Sequence, residues 1–307
     1  MKVAVVTGAD GFIGRHLCRY LIGMDYEVRG ISRSVLPPKV HRVDVRLDDR
    51  VSQLARIFED VDEIYQLAGA TPSHRRHSSS DFHQANVVLP KRVLMASDLA
   101  GVPKIVYSSS INVLGKTSYG NPFRTTDPYK PYDEYTRSKV FAEQELLDFP
   151  AENTDVLVVR CPLVYGSEVK GNMLLLMKWL AAGLPSPPFS ANATRSLIGV
   201  RNLCHMMAQI DVECSGIFHI ADPEDISLGQ LIEYLCKEFG RKQPSRFLSN
   251  ELANRGARFF GLHKRYPALF ETLAIDREEM FSKFKWNPPF SGEDELRIMT
   301  KWFLQTK

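Results

Sequence analysis

Residues 2–14 read KVAVVTGADGFIG, and this stretch constrains the fold more than any other. A short β-branched run, 2–7, ends abruptly at Gly8. Such a run, bounded by glycine and too short for a helix, is expected to be a buried parallel strand. Glycines then recur at 8, 11 and 14, and apolar residues recur at helical spacing over 13–22. Each glycine has a task. Gly8 permits a tight turn out of the strand, and Gly11 removes a side chain where a pyrophosphate must approach backbone N–H groups. Gly14 lets the new helix pack against the sheet. The helix start supplies partial positive charge and free donors. A glycine-rich turn without a ligand is the plain alternative. The strand before it and the helix and second strand after it favour dinucleotide binding.

The same alternation continues. Strands are expected at 26–32, 40–45, 63–68, 104–109 and 156–160, with helices at 51–58, 81–100 and 133–148. Strands alternating with helices imply an α/β protein with a doubly wound parallel sheet. After Tyr165 the pattern changes to glycine and proline clusters around a helix at 173–182. Short strands follow at 197–200 and 217–220, and helices at 227–240 and 293–304. The expected division is a dinucleotide-binding domain of 1–165 plus 197–222, and a smaller substrate domain of 166–196 plus 223–307.

The 307 residues are 44% hydrophobic and 24% charged, which excludes a mainly disordered chain. With 39 basic and 36 acidic residues the net charge is only +3, no footprint for nucleic acid. No stretch offers the roughly 20 apolar residues that span a bilayer, and the N-terminus lacks a signal-peptide core. A soluble cytoplasmic protein is expected. Five cysteines, an odd count with no C-x-x-C, read as buried free thiols. The eight histidines show no metal-ligand spacing, so no metal site is expected.

Cofactor choice is read at the end of the second strand, where an acidic residue would bond the ribose 2′-hydroxyl of NAD. Here stand Ser32 and Arg33. Nothing at that position repels a 2′-phosphate, and Arg33 can pair with one. NADP(H) is favoured and NAD(H) is possible; the alternative for Arg33 is a solvated loop arginine. Asp44, with Val45 beside it, closes the third strand and could accept from the adenine amino group or be a turn carboxylate.

Tyr135 and Lys139 are four apart and share a helix face. They follow a strand ending in Ser108-Ser109-Ser110, at the edge where a doubly wound sheet holds its ligand. A tyrosine is too weak an acid for fast proton transfer at neutral pH. A nearby ammonium stabilises its phenolate, and a serine hydroxyl can bond a developing alkoxide.

The set TGADGFIG, QLAGA (66–70), VYSSS (106–110) and YTRSK (135–139) resembles the extended short-chain dehydrogenase/reductase family, the nucleotide-sugar epimerases, dehydratases and ketoreductases. The resemblance covers nearly the whole chain and implies a Rossmann-type domain with a small C-terminal substrate domain. It implies that Gly8, Gly11, Phe12, Ile13 and Gly14 cover the pyrophosphate. Leu67, Ala68 and Gly69 would run beside the nicotinamide-side ribose, and Pro162 to Val164 beside the nicotinamide. Tyr135 would be the acid/base and Lys139 its tuner and ribose anchor. Ser110, 25 residues before Tyr135, is the implied hydroxyl, with Ser109 as fallback. Asn86 matches a family asparagine, or makes only a structural hydrogen bond.

RCPLVYGSEVKGN (160–172) and TRSLIGVRNL (194–203) resemble the nucleoside-diphosphate-sugar branch. By that resemblance Asn172 and Arg195 hold the diphosphate and nucleoside of a UDP-sugar, with Thr71 also on the substrate side; for Arg195 an interdomain salt bridge is the alternative. The finer pattern is similar to bacterial UDP-4-keto-6-deoxy-N-acetylhexosamine reductases of surface polysaccharide synthesis. The leading expectation is therefore NADPH-dependent reduction of a C4 ketone. The alternative is a UDP-hexose 4-epimerase with tightly held NAD. Ile111-Asn112 replace the Asp-Glu pair of the dehydratases, and the intact tyrosine and lysine speak against a sensor that has lost catalysis. A homodimer through helices 81–100 and 133–148 is implied. The basic runs at 74–77 and 255–265 read as solvated or packed surface.

Overall fold

A computed structural model describes residues 1–43, 50–72, 77–118, 120–183, 193–210, 215–242 and 272–306. Asp44 and Val45 lie outside the described residues, as do positions 74–76 and 255–265.

The centre is a seven-stranded sheet. Its strands are β1 (Val3–Thr7), β2 (Glu27–Ile31), β3 (His41–Arg42), β4 (Glu63–Gln66), β5 (Lys104–Ser110), β6 (Asp155–Cys161) and β10 (Gly216–His219). The order is β3-β2-β1-β4-β5-β6-β10, and every pairing is parallel. This is the Rossmann-type doubly wound sheet. The winding reverses between β1 and β4, so the ligand crevice opens where those strands end.

Alternating side chains bury both faces. Ala4 and Val6 of β1 join one apolar layer with Leu17 and Leu21 of α1 (Phe12–Gly23) and Leu203 and Met207 of α7 (Val200–Gln209). Val5 joins the other layer, with Leu54 and Phe58 of α2 (Val51–Phe58), Val93 and Leu94 of α4 (Leu89–Ala100), and Ala142 and Leu146 of α5 (Glu134–Leu147). Helix α7 was not foreseen; its start, Val200, was read as strand. Of the third strand expected over 40–45, residues 40–43 are described, and β3 takes two of them.

The single long helix expected over 81–100 is interrupted. Helix α3 (Ser79–His83) passes through a π-helical turn, Gln84–Val88, before α4 begins. Pro90 has no N–H to offer the Asn86 carbonyl four residues back. That carbonyl takes the Tyr107 hydroxyl at 3.4 Å.

Beyond the sheet, β7 (Leu163–Tyr165) pairs with β9 (Leu197–Gly199), and β8 (Thr194–Arg195) with β11 (Ile226–Ser227). Helices α6 (Gly171–Ala181), α8 (Leu228–Glu238) and α10 (Gly292–Gln305) share a further apolar cluster, and α9 (Glu278–Phe284) packs on the first layer. No helix among the described residues is long and apolar enough to cross a membrane.

The most deeply buried ion pair among the described residues joins Glu143 and Arg160, 0% and 1% exposed, at 2.8 Å. Losing one member strands the other charge in a dry interior, which costs roughly 3–5 kcal/mol. Glu143→Gln should therefore lower the urea midpoint markedly. The double variant Glu143→Leu/Arg160→Met should recover most of that loss, as measured by denaturation curves.

Candidate active site

The crevice begins at the first glycine. Gly8 sits at φ +66°, and a Cβ there would lie 2.9 Å from the Ala68 nitrogen. The ends of β1 and β4 are stapled by side chains. Thr7 Oγ1 accepts from the N–H groups of Leu67 (3.1 Å) and Ala68 (3.0 Å) and donates to Gln66 Oε1 at 2.9 Å. Gln66 Nε2 in turn donates to the Ala68 carbonyl at 2.9 Å. Helix α1 starts at Gly11 with no side-chain cap. Its first N–H groups, beginning with those of half-buried Phe12 and Ile13, have no intrahelical partner. A Cβ on Gly14 would run into the Gly8 carbonyl. Uncapped donors at a glycine-lined helix start are the donor set a pyrophosphate requires, so these residues fit a dinucleotide. Ser32 follows β2 directly and is half-buried, while Arg33 is exposed.

Lys139 is buried on α5. Its ammonium donates to the Ser108 carbonyl (2.8 Å) and to the Tyr107 hydroxyl (3.0 Å). Burial pulls its pKa down to about 8, against the upward pull of Glu143 one turn further on. Tyr135, on the same helix face, lies against the edge of Phe82 at 6.0 Å between centroids. Burial pushes its phenol above the usual range, and a hydrogen bond with Ser110 pulls it back. Side chains alternate along β5. The Ser109 hydroxyl donates to Glu143, whereas Ser110 meets Tyr135. The structure thus brings Ser110 to Tyr135 and commits Ser109 elsewhere.

Asn86 has no exposed surface. Its Oδ1 accepts from Ala70 N at 2.8 Å, and its Nδ2 donates to the Ala70 carbonyl (3.0 Å) and to Ser138 Oγ (2.9 Å). It clamps the chain leaving β4 onto the helix that carries Tyr135 and Lys139.

Three comparisons bear on this site. The family described as "NAD dependent epimerase/dehydratase family" matches residues 4–216. The chain belongs to the NAD-dependent epimerase/dehydratase family. Among curated relatives, a UDP-glucose 4-epimerase of Vibrio cholerae is 26% identical, covering 99% of this chain and 96% of the relative. An N-acetyl-alpha-D-glucosaminyl-diphospho-ditrans,octacis-undecaprenol 4-epimerase of Escherichia coli O157:H7 is 26% identical, covering 84% of this chain and 78% of the relative. A solved structure of a Bacillus cereus UDP-glucuronic acid 4-epimerase in complex with NAD is similar in fold, with TM-score 0.79, 19% identity and 99% of both chains covered.

Gln66 uses both ends of its amide in the staple. Gly69 leaves room for Asn86: a Cβ there would lie 2.7 Å from Asn86 Oδ1.

On the substrate side, Arg195 is buried on β8, close enough to Tyr132 to pull down its phenol pKa, which burial raises to about 12. Pro162 is buried and Val164 half-buried, beside and within β7. Asn172 is half-buried in the first turn of α6, and Thr71 is exposed beyond β4. Among the described contacts, neither Asn172 nor Thr71 is tied to the Ser110–Tyr135–Lys139 group. The sequence reading missed Tyr107, Ser138 and Glu143. A signal existed for Glu143, which repeats the four-residue spacing of Tyr135 and Lys139.

The depressed pKa of Lys139 has a signed consequence. Between about pH 8 and 10.5 the unfolded chain holds a proton that the folded chain has released, so stability rises with pH across that window. Below pH 8 the cost of burying the charge is fully present. Lys139→Met should lack this rise, seen as a shrinking gap between variant and wild-type urea midpoints as pH goes from 8 to 10.

Proposed function

We propose that this chain is an NAD-dependent 4-epimerase of a UDP-hexose. The observation that carries the reading is Tyr135 one turn before buried Lys139 on α5, with Ser110 close enough to pull its phenol pKa down. It sits in a chain that matches a UDP-glucose 4-epimerase almost end to end.

NAD, which Gly8, Gly11, Phe12, Ile13 and Gly14 would hold by its pyrophosphate, would supply the hydride acceptor for C4 and the donor for its return to the opposite face. Tyr135 takes the proton of the C4 hydroxyl and gives it back. Ser110 bonds the same oxygen, stabilising charge as it develops. Lys139, oriented by Ser108 and Tyr107, supplies the positive charge that lowers the cost of phenolate. Asn172 and Arg195 hold the diphosphate, a guanidinium fork suiting its oxygens, and Thr71 borders the sugar. The substrate part comprises 166–196 plus 223–307, and the dinucleotide part the remainder.

Reduction of a UDP-4-keto-6-deoxy-N-acetylhexosamine by NADPH remains the second reading. It is favoured by Ser32-Arg33, which place no carboxylate directly after β2. Incubation with UDP-glucose or UDP-N-acetylglucosamine, with no reductant added, separates the two. Appearance of the C4 epimer by NMR supports the epimerase. No epimer, with stoichiometric NADPH oxidation on a 4-keto substrate, establishes the reductase. Under either reading Tyr135→Phe should lower kcat by about 10²–10⁴, and retained turnover would defeat both.

We also propose a homodimer. Leu99 on α4 is 65% exposed and Phe141 on α5 is 52% exposed, with Met95 and Leu147 exposed on the same two helices. Pairing α4 and α5 of two copies would cover them. Leu99→Glu/Phe141→Glu should shift the mass measured by light scattering from dimer to monomer. A wild-type monomer would end the idea.

A further inference from the structure

The end of β2 lacks the acidic residue that would bond a ribose 2′-hydroxyl, yet a carboxylate stands there all the same. It comes from the glycine turn. The register sets Thr7 beside Ile31, and Gly8 N donates to the Ile31 carbonyl at 2.9 Å. That places the turn 8–11 against the residues that follow β2. Within the turn, half-buried Asp10 stands close enough to Ser32 and Ser34 for their side chains to pull its carboxyl pKa down. Ser34 N donates to Ser32 Oγ at 3.0 Å, which closes the segment into a small turn aimed at Asp10.

Among the described residues, the cations near this turn bond elsewhere or are exposed, and Arg15 acts on the Asp10 carboxyl through charge alone. Arg42 donates to the carbonyls of Ser32, at 2.9 Å, and Ser34. Arg15 Nε donates to the Asp10 carbonyl at 3.0 Å rather than to its carboxylate. Arg33, the basis for expecting NADP(H), points its side chain into solvent. Although burial raises the Asp10 pKa, the Ser32 and Ser34 side chains hold it below the usual carboxylate range. Asp10 is therefore ionised at neutral pH.

We propose that Asp10 is the residue that selects NAD(H) over NADP(H), doing from the glycine turn what an acidic residue after β2 does elsewhere. An ionised carboxylate accepts hydrogen bonds from a ribose diol. The same carboxylate repels a 2′-phosphate at short range. The Ser32 hydroxyl donates to the Ser34 carbonyl at 3.3 Å, and both serine side chains stand beside Asp10. The inference rests on the dinucleotide-site reading above and not on the identity of the sugar.

The test is equilibrium binding of NAD+ and NADP+ to the full-length protein by isothermal titration calorimetry, with no sugar present. Wild type should bind NAD+ at least tenfold more tightly than NADP+. Asp10→Asn should bring that ratio below threefold, mainly by strengthening NADP+ binding. Arg33→Ala should leave the ratio within twofold of wild type. Tighter binding of NADP+ by wild type would overturn the proposal, as would an unchanged ratio in Asp10→Asn or no binding of either dinucleotide. Should Asp10→Asn fail to fold by circular dichroism, Ser32→Ala/Ser34→Ala takes its place. Loss of the hydroxyls beside Asp10 should reduce the ratio at least threefold, and an unchanged ratio counts against the proposal. Selective, Asp10-dependent NAD+ binding without 4-epimerisation would sink the sugar reading and leave this one standing. Epimerisation with an Asp10-independent ratio would do the reverse.

Discussion

Glu143 has no exposed surface, and its carboxylate gathers three elements. It accepts from Ser109 on β5, from Tyr129 ahead of α5 at 2.9 Å, and from the Arg160 guanidinium on β6. Arg160 passes the tie onward to the Thr125 carbonyl at 3.0 Å. A charge buried this deeply survives only when every lone pair is used, so the arrangement is unforgiving. If α5 slid by one residue against β5 and β6, the carboxylate would lose its donors. That intolerance fixes the height of α5 on the sheet, and with it the height of Tyr135 and Lys139. Because Ser109 is spent on Glu143, strand alternation turns the Ser108 and Ser110 side chains to the other face. The Ser108 backbone carbonyl and the Tyr107 hydroxyl hold Lys139, and Ser110 at the strand end stands close enough to Tyr135 to pull down its pKa.

A second clamp works from the other side of the crevice. Asn86 fills its hydrogen-bonding capacity with the backbone of Ala70 and the hydroxyl of Ser138. Ser138 Oγ itself donates to the Tyr135 carbonyl at 2.7 Å. The path from the end of β4 to the helix bearing Tyr135 is thus a continuous chain of buried polar contacts. The π-helical turn belongs to this arrangement. It frees the Asn86 carbonyl for Tyr107, whose hydroxyl also receives Lys139. Tyr107, Asn86 and Ser138 would touch no substrate in the proposed reaction, yet each bears on where Lys139 or Tyr135 sits.

The parts legible in the sequence were those governed by local rules. Strand length, the three-residue glycine spacing and the four-residue spacing of Tyr135 and Lys139 each follow from one element's geometry, and β1, β2, β4, β5, β6, α1, α2 and α5 appear where those rules put them. The parts not legible depend on contacts between distant segments. Nothing in SSS tells Ser109 from Ser110 until Glu143 claims one of them. No periodicity distinguishes an interrupted helix at 84–88 from a continuous one, although Pro90 was a local clue. The sugar is less legible still, since Arg195 and Asn172 come from separate elements and their spacing in sequence fixes no shape. The cofactor end of the site shares this feature, since Asp10 belongs to the turn after β1 and not to β2.

Burial moves Tyr135 and Lys139 in opposite directions, the phenol up and the ammonium down, and both shifts favour the uncharged forms. A site that resists either charge alone does not resist both together. Once Lys139 carries its proton, a phenolate nearby is the least costly second charge, because each ion then offsets the other's lost hydration. Glu143 adds to this balance from one turn away, its negative charge favouring the protonated lysine without touching Tyr135. The carboxylate that fixes the height of the helix therefore also biases the charge of the lysine. One buried residue thus bears both on the alignment of the site and on the charge of its lysine.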